Sequence, residues 1–366
     1  MSNLTHNNLE VSNFSKLLLK WHKTDNDRQL PWKGEKDAYK IWLSEIILQQ
    51  TRVEQGLEYY HNFILNFPTI KDLAAADEKR VFKLWEGLGY YSRCRNLIAT
   101  ARIITEEYNG IFPSSYYDIL KLKGVGPYTA SAIASFAFNL PHAVVDGNVY
   151  RVLARVFGIG EAIDSTAGKK NFHQLANELL DRKQPGKYNQ AIMDFGATVC
   201  KPAVPLCDCC TFQKYCEAYA DNRVQQLPVK EKKIKQRARY FYFFIIQCGS
   251  KVAIRERQDK DIWQHLHEFP LIELVQDAHV DAAIEEALNR KWITEDAIVK
   301  QESAVYRQKL THQSITAVFI NTRVKKLPAS LKNYDWIETN DLAAHSFPKI
   351  INDYLNSEEL LQEETH

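Results

Sequence analysis

With 366 residues, 45% of them hydrophobic, the chain is long enough for two cored domains and too apolar to stay disordered. A formal charge of +2 says almost nothing about partners, so any claim of nucleic-acid binding has to rest on local patches. No apolar run approaches the ~20 residues of a membrane span, and MSNLTHNNLE lacks the pattern of a secretory leader. A soluble intracellular protein is expected, cytoplasmic and nucleoid-associated in a bacterium or nuclear in a eukaryote.

From Phe14 to Tyr219 the pattern is helical, which predicts an all-α first domain. Asp37 is placed to cap the run AYKIWLSEIILQQ. Read as one helix, that run sets Glu45, Gln49 and Arg52 on a single polar face, where Glu45 could be a solvated acid beside Arg52. Helices follow over Val53–Asn66, Lys79–Gly87 and Ser92–Tyr108. Next come Gly124 and Gly126, one residue apart, before an apolar run over Thr129–Phe138. A Gly-x-Gly turn entering a helix leaves backbone N–H groups pointing outward, which suits a phosphate. Asp146 then emerges from Val144-Val145 before Gly147, where a carboxylate needs a reason to be; capping a helix over Val149–Val156 is one. Another helix is expected over Ala167–Leu180, and one more ending near Cys200.

Of seven cysteines, Cys94 and Cys248 are isolated and five crowd between 200 and 216. Cys200, Cys207, Cys210 and Cys216 read C-x6-C-x2-C-x5-C, a pattern open to tetrahedral zinc or a [4Fe–4S] cluster. Only one C-x2-C knuckle is present, which tilts the spacing towards iron–sulfur, and Cys209 could replace Cys210. Residues 221–239, rich in Lys230, Lys232, Lys233, Lys235, Arg237 and Arg239, read as a basic tether. Beyond it, Tyr240–Cys248, Lys251–Arg257 and Ile315–Thr322 are strand-like, with helices over Asp281–Trp292 and Pro348–Asn356, so the second domain is expected to be α+β. The acidic residues 357–366 are expected to fray.

Taken together, GVGPYT, VDGNV and the cysteine spacing resemble the helix-hairpin-helix DNA glycosylases of the endonuclease III superfamily. LPWK at Leu30–Lys33, YKIWLSEIILQQT at Tyr39–Thr51 and WEGLGYYSR at Trp85–Arg93 are similar to its adenine-specific branch, the MutY proteins. The resemblance implies a catalytic domain over 1–220 with a [4Fe–4S] loop at 200–216, a linker over 221–239, and a Nudix-like domain that recognises 8-oxoguanine over 240–356. WQHLHEFP at Trp263–Pro270 matches that second domain, but no glutamate-rich box is present, so nucleoside diphosphate hydrolysis is not expected.

The implied activity is that of a monofunctional, monomeric glycosylase, which removes adenine mispaired with 8-oxoguanine or guanine from duplex DNA. Glu45 matches the family's general acid and Asp146 the carboxylate that faces the developing sugar cation. Asn148 would orient the water or the acid. Tyr128 stands where strand-cutting relatives carry a lysine, and a phenol cannot form an imine. Gly124 and Gly126 would hold a phosphate, Gln50 and Tyr90 would sit at the lesion, and Thr311 and His312 would meet 8-oxoguanine. Two alternatives remain. A bifunctional oxidised-pyrimidine glycosylase is opposed by Tyr128 and the long second domain. A non-catalytic iron–sulfur DNA-structure binder would have lost a carboxylate.

Overall fold

A computed structural model of the chain describes residues 11–231, 236–275, 280–295 and 297–358. Lys232, Lys233 and Lys235 of the basic stretch, and residues 359–366 of the acidic tail, lie outside the described residues. The helices before the sheet are α1 (Val11–Thr24), α2 (Ala38–Ile47), α3 (Val53–Asn66), α4 (Ile70–Ala75), α5 (Glu78–Trp85), α6 (Ser92–Glu107), α7 (Tyr116–Lys121), α8 (Pro127–Phe138), α9 (Gly147–Val156), α10 (Thr166–Leu179), α11 (Pro185–Thr198) and α12 (Glu217–Ala220). The chain divides into two compact units. One joins Met1–Ala75 to Asn96–Lys232, and the other joins Ala76–Arg95 to Lys233–His366.

In the first unit, α8 packs against α2, α7 and α11 and buries every residue from Thr129 to Ser135. Close packing on three sides favours small side chains, and ASAIAS supplies five of them around Ile133. The amphipathic α9 lays Val149, Val152 and Leu153 on Phe14, Phe172, Ile192 and Phe195. Ala143–Val145, just before α9, are buried too, which fixes where Asp146 emerges. Residues 221–231 also pack here. Leu227 is buried, and the Ile163 N–H donates to the Val229 carbonyl (3.0 Å).

One expectation fails at α2. The helix ends at Ile47, where the Leu48 N–H closes on the Ser44 carbonyl (2.9 Å), and Gln50 turns left-handed at φ 57°. Arg52 instead caps α3, so Glu45, Gln49 and Arg52 do not share a helical face. The reason lies in Gly56 on α3. A Cβ there would stand 2.8 Å from the Leu48 side chain, so its absence lets the end of α2 press onto α3 and the chain turn.

The second unit is built on a mixed sheet of β1 (Arg237–Cys248), β2 (Lys251–Glu256), β3 (His267–Glu268), β4 (Leu271–Leu274), β5 (Ile298–Glu302), β6 (Tyr306–Lys309), β7 (Gln313–Arg323) and β8 (Asp335–Glu338). Arg237 and Arg239 belong to β1, which runs parallel to β7 over its whole paired length, from Arg237 beside Gln313 to Gln247 beside Arg323. Alternation along β7 turns Ile320 towards α13 (Val280–Asn289) and Phe319 towards α14 (Lys349–Ser357), where Tyr354 stacks on it at 4.0 Å. Helix α5 belongs to this unit. Lys83 Nζ donates to the His345 carbonyl (3.1 Å), the Phe347 N–H donates to Glu86 (2.7 Å), and Phe82 lies beside His265.

Candidate active site

Three helices of the first unit bring the predicted residues to one cavity of about 530 Å³. Glu45 comes from the last turn of α2, Tyr128 from the first turn of α8, and Asp146 and Asn148 from the start of α9, with Gln50 also on its wall. Glu45 is only 8% exposed, which overturns the picture of a solvated acid beside Arg52. Burial pushes its carboxyl up to about 7; a hydrogen bond with the Tyr128 hydroxyl opposes the rise, and the nearby Asp146 adds to it. At neutral pH this group therefore holds a proton that it can also give away. Tyr128 is driven well above its usual range by burial and the two carboxylates, so it stays a neutral phenol.

Asp146 caps α9: the Val149 N–H donates to Oδ1 and Asn148 Nδ2 donates to Oδ2, both at 2.8 Å. Burial still outweighs these donors and raises its carboxyl. Asn148 is itself held, because Arg151 Nη2 donates to its Oδ1 (2.8 Å) and to the Gly196 carbonyl (2.7 Å). Arg151 Nε also reaches the Cys200 carbonyl (2.7 Å), and one turn later Arg155 donates to the Lys201 (2.7 Å) and Pro202 (2.9 Å) carbonyls. The buried face of α9 thus ties the acid to the start of the cysteine loop.

Cys200, Cys207, Cys210 and Cys216 line one small cavity, and Cys209 is exposed outside it. Burial and the neighbouring sulfurs push the Cys207, Cys210 and Cys216 thiols up, with Cys210 at about 12. Such thiols stay neutral unless a cation draws off the proton, and together with Cys200 they place four sulfurs around one space, as Cys₄ ligation needs. Among the described residues, no three His, Cys, Asp or Glu side chains converge as one metal ion would need.

The hairpin between α7 and α8 explains its two glycines differently. Gly124 has φ +77°, and a Cβ on it would stand 2.7 Å from that of Asn96. At Gly126 the backbone is extended, and nothing lies within 4 Å of an added Cβ. The protein itself does not demand glycine there, and no side chain caps the helix that starts behind it.

Sequence reasoning missed Asp194. Fully buried on α11, it accepts from Asn26 (2.8 Å), Arg28 (3.0 Å) and Gln190 (3.0 Å) and pairs with Lys33 (3.2 Å). These bonds hold the loop that carries Leu30, Trp32 and Lys33, all on the cavity wall. The signal was there: an acid inside the apolar run AIMDFG.

In the second unit, Tyr90 sits at φ 49° and is 44% exposed. Its hydroxyl lies 2.6 Å from that of Thr311. The exposed His312 follows, and its carbonyl accepts from the Arg237 N–H (3.0 Å), which sets the loop against β1.

Residues 43–182 match the family described as "HhH-GPD superfamily base excision DNA repair protein", and residues 241–357 match the NUDIX domain. The adenine DNA glycosylase of Buchnera aphidicola subsp. Baizongia pistaciae is 38% identical over 259 residues, covering 70% of this chain and 73% of that protein. The mouse adenine DNA glycosylase is 44% identical over 226 residues, 59% of this chain and 43% of that one. Among solved structures, a thermostable thymine-DNA glycosylase shares 30% identity at a TM-score of 0.54, covering 58% of this chain and 97% of its own. With both carboxylates in one cavity and a relative this similar over most of its length, the chain belongs to the adenine DNA glycosylases, base excision repair enzymes that hydrolyse the N-glycosyl bond of adenine in DNA.

Proposed function

We propose that the substrate is adenine opposite 8-oxoguanine, or opposite guanine, in duplex DNA, and that the enzyme removes the base without cutting the strand. The observation that carries the mechanism is the buried Glu45 carboxyl, raised to about 7 and bonded to Tyr128, in the same cavity as Asp146. Adenine is a poor anionic leaving group. Protonation by Glu45 lets the glycosidic electron pair depart onto a neutral base, and Asp146 stabilises the oxocarbenium-like sugar left behind. Asn148, oriented by Arg151, would fix Asp146 and the incoming water. Tyr128 stays a neutral phenol hydrogen-bonded to Glu45 and, lacking an amine, forms no imine.

The cavity has the size of a ligand site, which suits a base extruded from the stack. Gly124 and Gly126 would let a phosphate approach the backbone of the hairpin, without reading sequence. Gln50 would contact the lesion site from the first unit. Tyr90, Thr311 and His312 would face the 8-oxoguanine strand from the second, where the paired Tyr90 and Thr311 hydroxyls offer donors and acceptors to a purine edge. Cys200, Cys207, Cys210 and Cys216 would hold a [4Fe–4S] cluster, which when bound supplies four metal–thiolate anchors for the loop that Arg151 and Arg155 tie to α9. The enzyme would act as a monomer, wherever the cell keeps its chromosomal DNA.

The test is single-turnover base release from a duplex with adenine opposite 8-oxoguanine. Strand breaks should appear only after alkali, and Asp146→Asn should abolish them. Efficient cleavage without alkali would sink the monofunctional reading. Replacing both Thr311 and His312 by Ala should lower the preference for 8-oxoguanine over guanine; an unchanged ratio would reject that contact.

A further inference from the structure

The cavity that holds Glu45 also has a stretch of wall to which no role has been given, and α1 contributes His22 to it. One edge of this half-buried ring is already taken. Asn26 Nδ2 meets His22 Nδ1 at 2.8 Å and donates to Asp194 Oδ2 at the same distance. The other end of the Asn26 amide fixes which way it faces, because its Oδ1 accepts from the Arg28 N–H (3.2 Å). Both amide hydrogens therefore leave from Nδ2, one towards Asp194 and one towards His22. His22 Nδ1 must accept, and the ring proton sits on Nε2.

His22 lines the cavity and Asn26 does not, so the Nδ1 edge turns into the protein and the Nε2–H edge is left for the cavity. The ring is neutral. Burial lowers its pKa, with Lys33 and then Lys187 adding to the fall against the pull of Asp194. Those three are the charges that act on His22, whereas Asp146 and the Tyr128 hydroxyl act on Glu45. The histidine and the catalytic carboxylates thus occupy different stretches of one cavity.

We propose that His22 is a specificity-determining residue of adenine removal, its Nε2–H donating to N1 of the extruded base. This role rests on Glu45 being the acid at the other end of the purine. Adenine has ring acceptors at N1, N3 and N7. N3 and N7 flank the glycosidic bond, where Glu45 and Asp146 act, and N1 lies across the ring, where a donor set apart from them meets it. Guanine in the same pose presents N1–H, a second donor, so the fixed imidazole opposes it and is left unpaired. Asp194 enters as a positioning residue, since it holds the amide that sets the tautomer.

The experiment measures single-turnover release of adenine and of 1-deazaadenine, each opposite 8-oxoguanine, by the unaltered chain, His22→Phe and His22→Gln. 1-Deazaadenine carries C–H in place of N1 and keeps N3 and N7. On adenine His22→Phe should be slower by about 10-fold, the worth of one lost hydrogen bond. On 1-deazaadenine the same two chains should differ by less than about 2-fold, because the partner is already gone. His22→Gln, whose amide can accept from Asn26 and donate into the cavity, should recover most of the rate on adenine. Duplex affinities measured in an Asp146→Asn background, where the base stays attached, give the same comparison if the analogue leaves too slowly to time. An undiminished rate of His22→Phe on adenine overturns the proposal. So does an equal loss on both bases, which would leave His22 steadying its loop or, if the salt slope of binding also falls, meeting a phosphate. Full activity of Glu45→Gln would strike the acid itself, a failure that the His22 series does not mimic.

Discussion

Glu45 gathers most of the chemistry at the scale of single residues. Its folded pKa of about 7 lies above the ordinary 4.5, so the folded state keeps a proton that the unfolded chain has already released. The stability owed to the neutral carboxyl is whole below pH 4.5 and is lost as pH climbs through 7. Glu45→Gln removes that loss. It should raise stability at pH 8 by up to about 3 kcal/mol, seen as a higher denaturation midpoint, while base release falls 10²-fold or more. A variant less stable at pH 8 would contradict the buried-acid picture. In the unaltered enzyme, single-turnover rates should decline above about pH 7 as the proton leaves. Asp194 makes the complementary case, because its charge is fully buried and paired. Asp194→Asn should cost about 1–3 kcal/mol and raise amide exchange over residues 25–36; unchanged exchange there would show that the loop stands without it. That Asp146 stands at the start of a helix could be read from the sequence, because it follows two valines and precedes a run it can cap. That Glu45 is buried could not, because burial comes from α8 and α9, far along the chain.

Among the elements, the hairpin separates structure from function. Gly124→Ala forces a side chain into φ +77° and against Asn96, and should destabilise the fold by about 1–2 kcal/mol in urea titration. Gly126→Ala meets no neighbour, so its melting should barely move while affinity for duplex DNA drops. A Gly126→Ala variant that binds DNA normally would remove the backbone–phosphate reading. The start of α9 was legible from its capping aspartate, and β1 and β7 from their β-branched and aromatic runs. The end of α2 was not, since LQQT carries neither Gly nor Pro and the close approach of Leu48 to Gly56 of α3 is a tertiary contact. β3, β4 and β8 run for two to four residues, too few to show a period, and they exist through pairing with β2 and β1.

For the whole molecule, the feature least visible in the sequence is that residues 76–95 belong with the sheet. Their apolar positions, Val81, Phe82 and Trp85, look like any other stripe of a helical domain, and nothing local says which core they will join. In a chain cut after Lys232, amide exchange over 78–91 should rise while α8 and α9 stay protected; unaltered protection at α5 would mean that the first unit alone holds it. The consequence is one of assembly. A nick within the basic stretch would not yield two self-sufficient pieces, because the longer one still carries a helix that the shorter needs, with Lys83 and Glu86 made to grip residues 345–347. Fragments 1–232 and 233–366, expressed apart, should therefore recognise each other and reconstitute, the second incomplete until the first lends it α5.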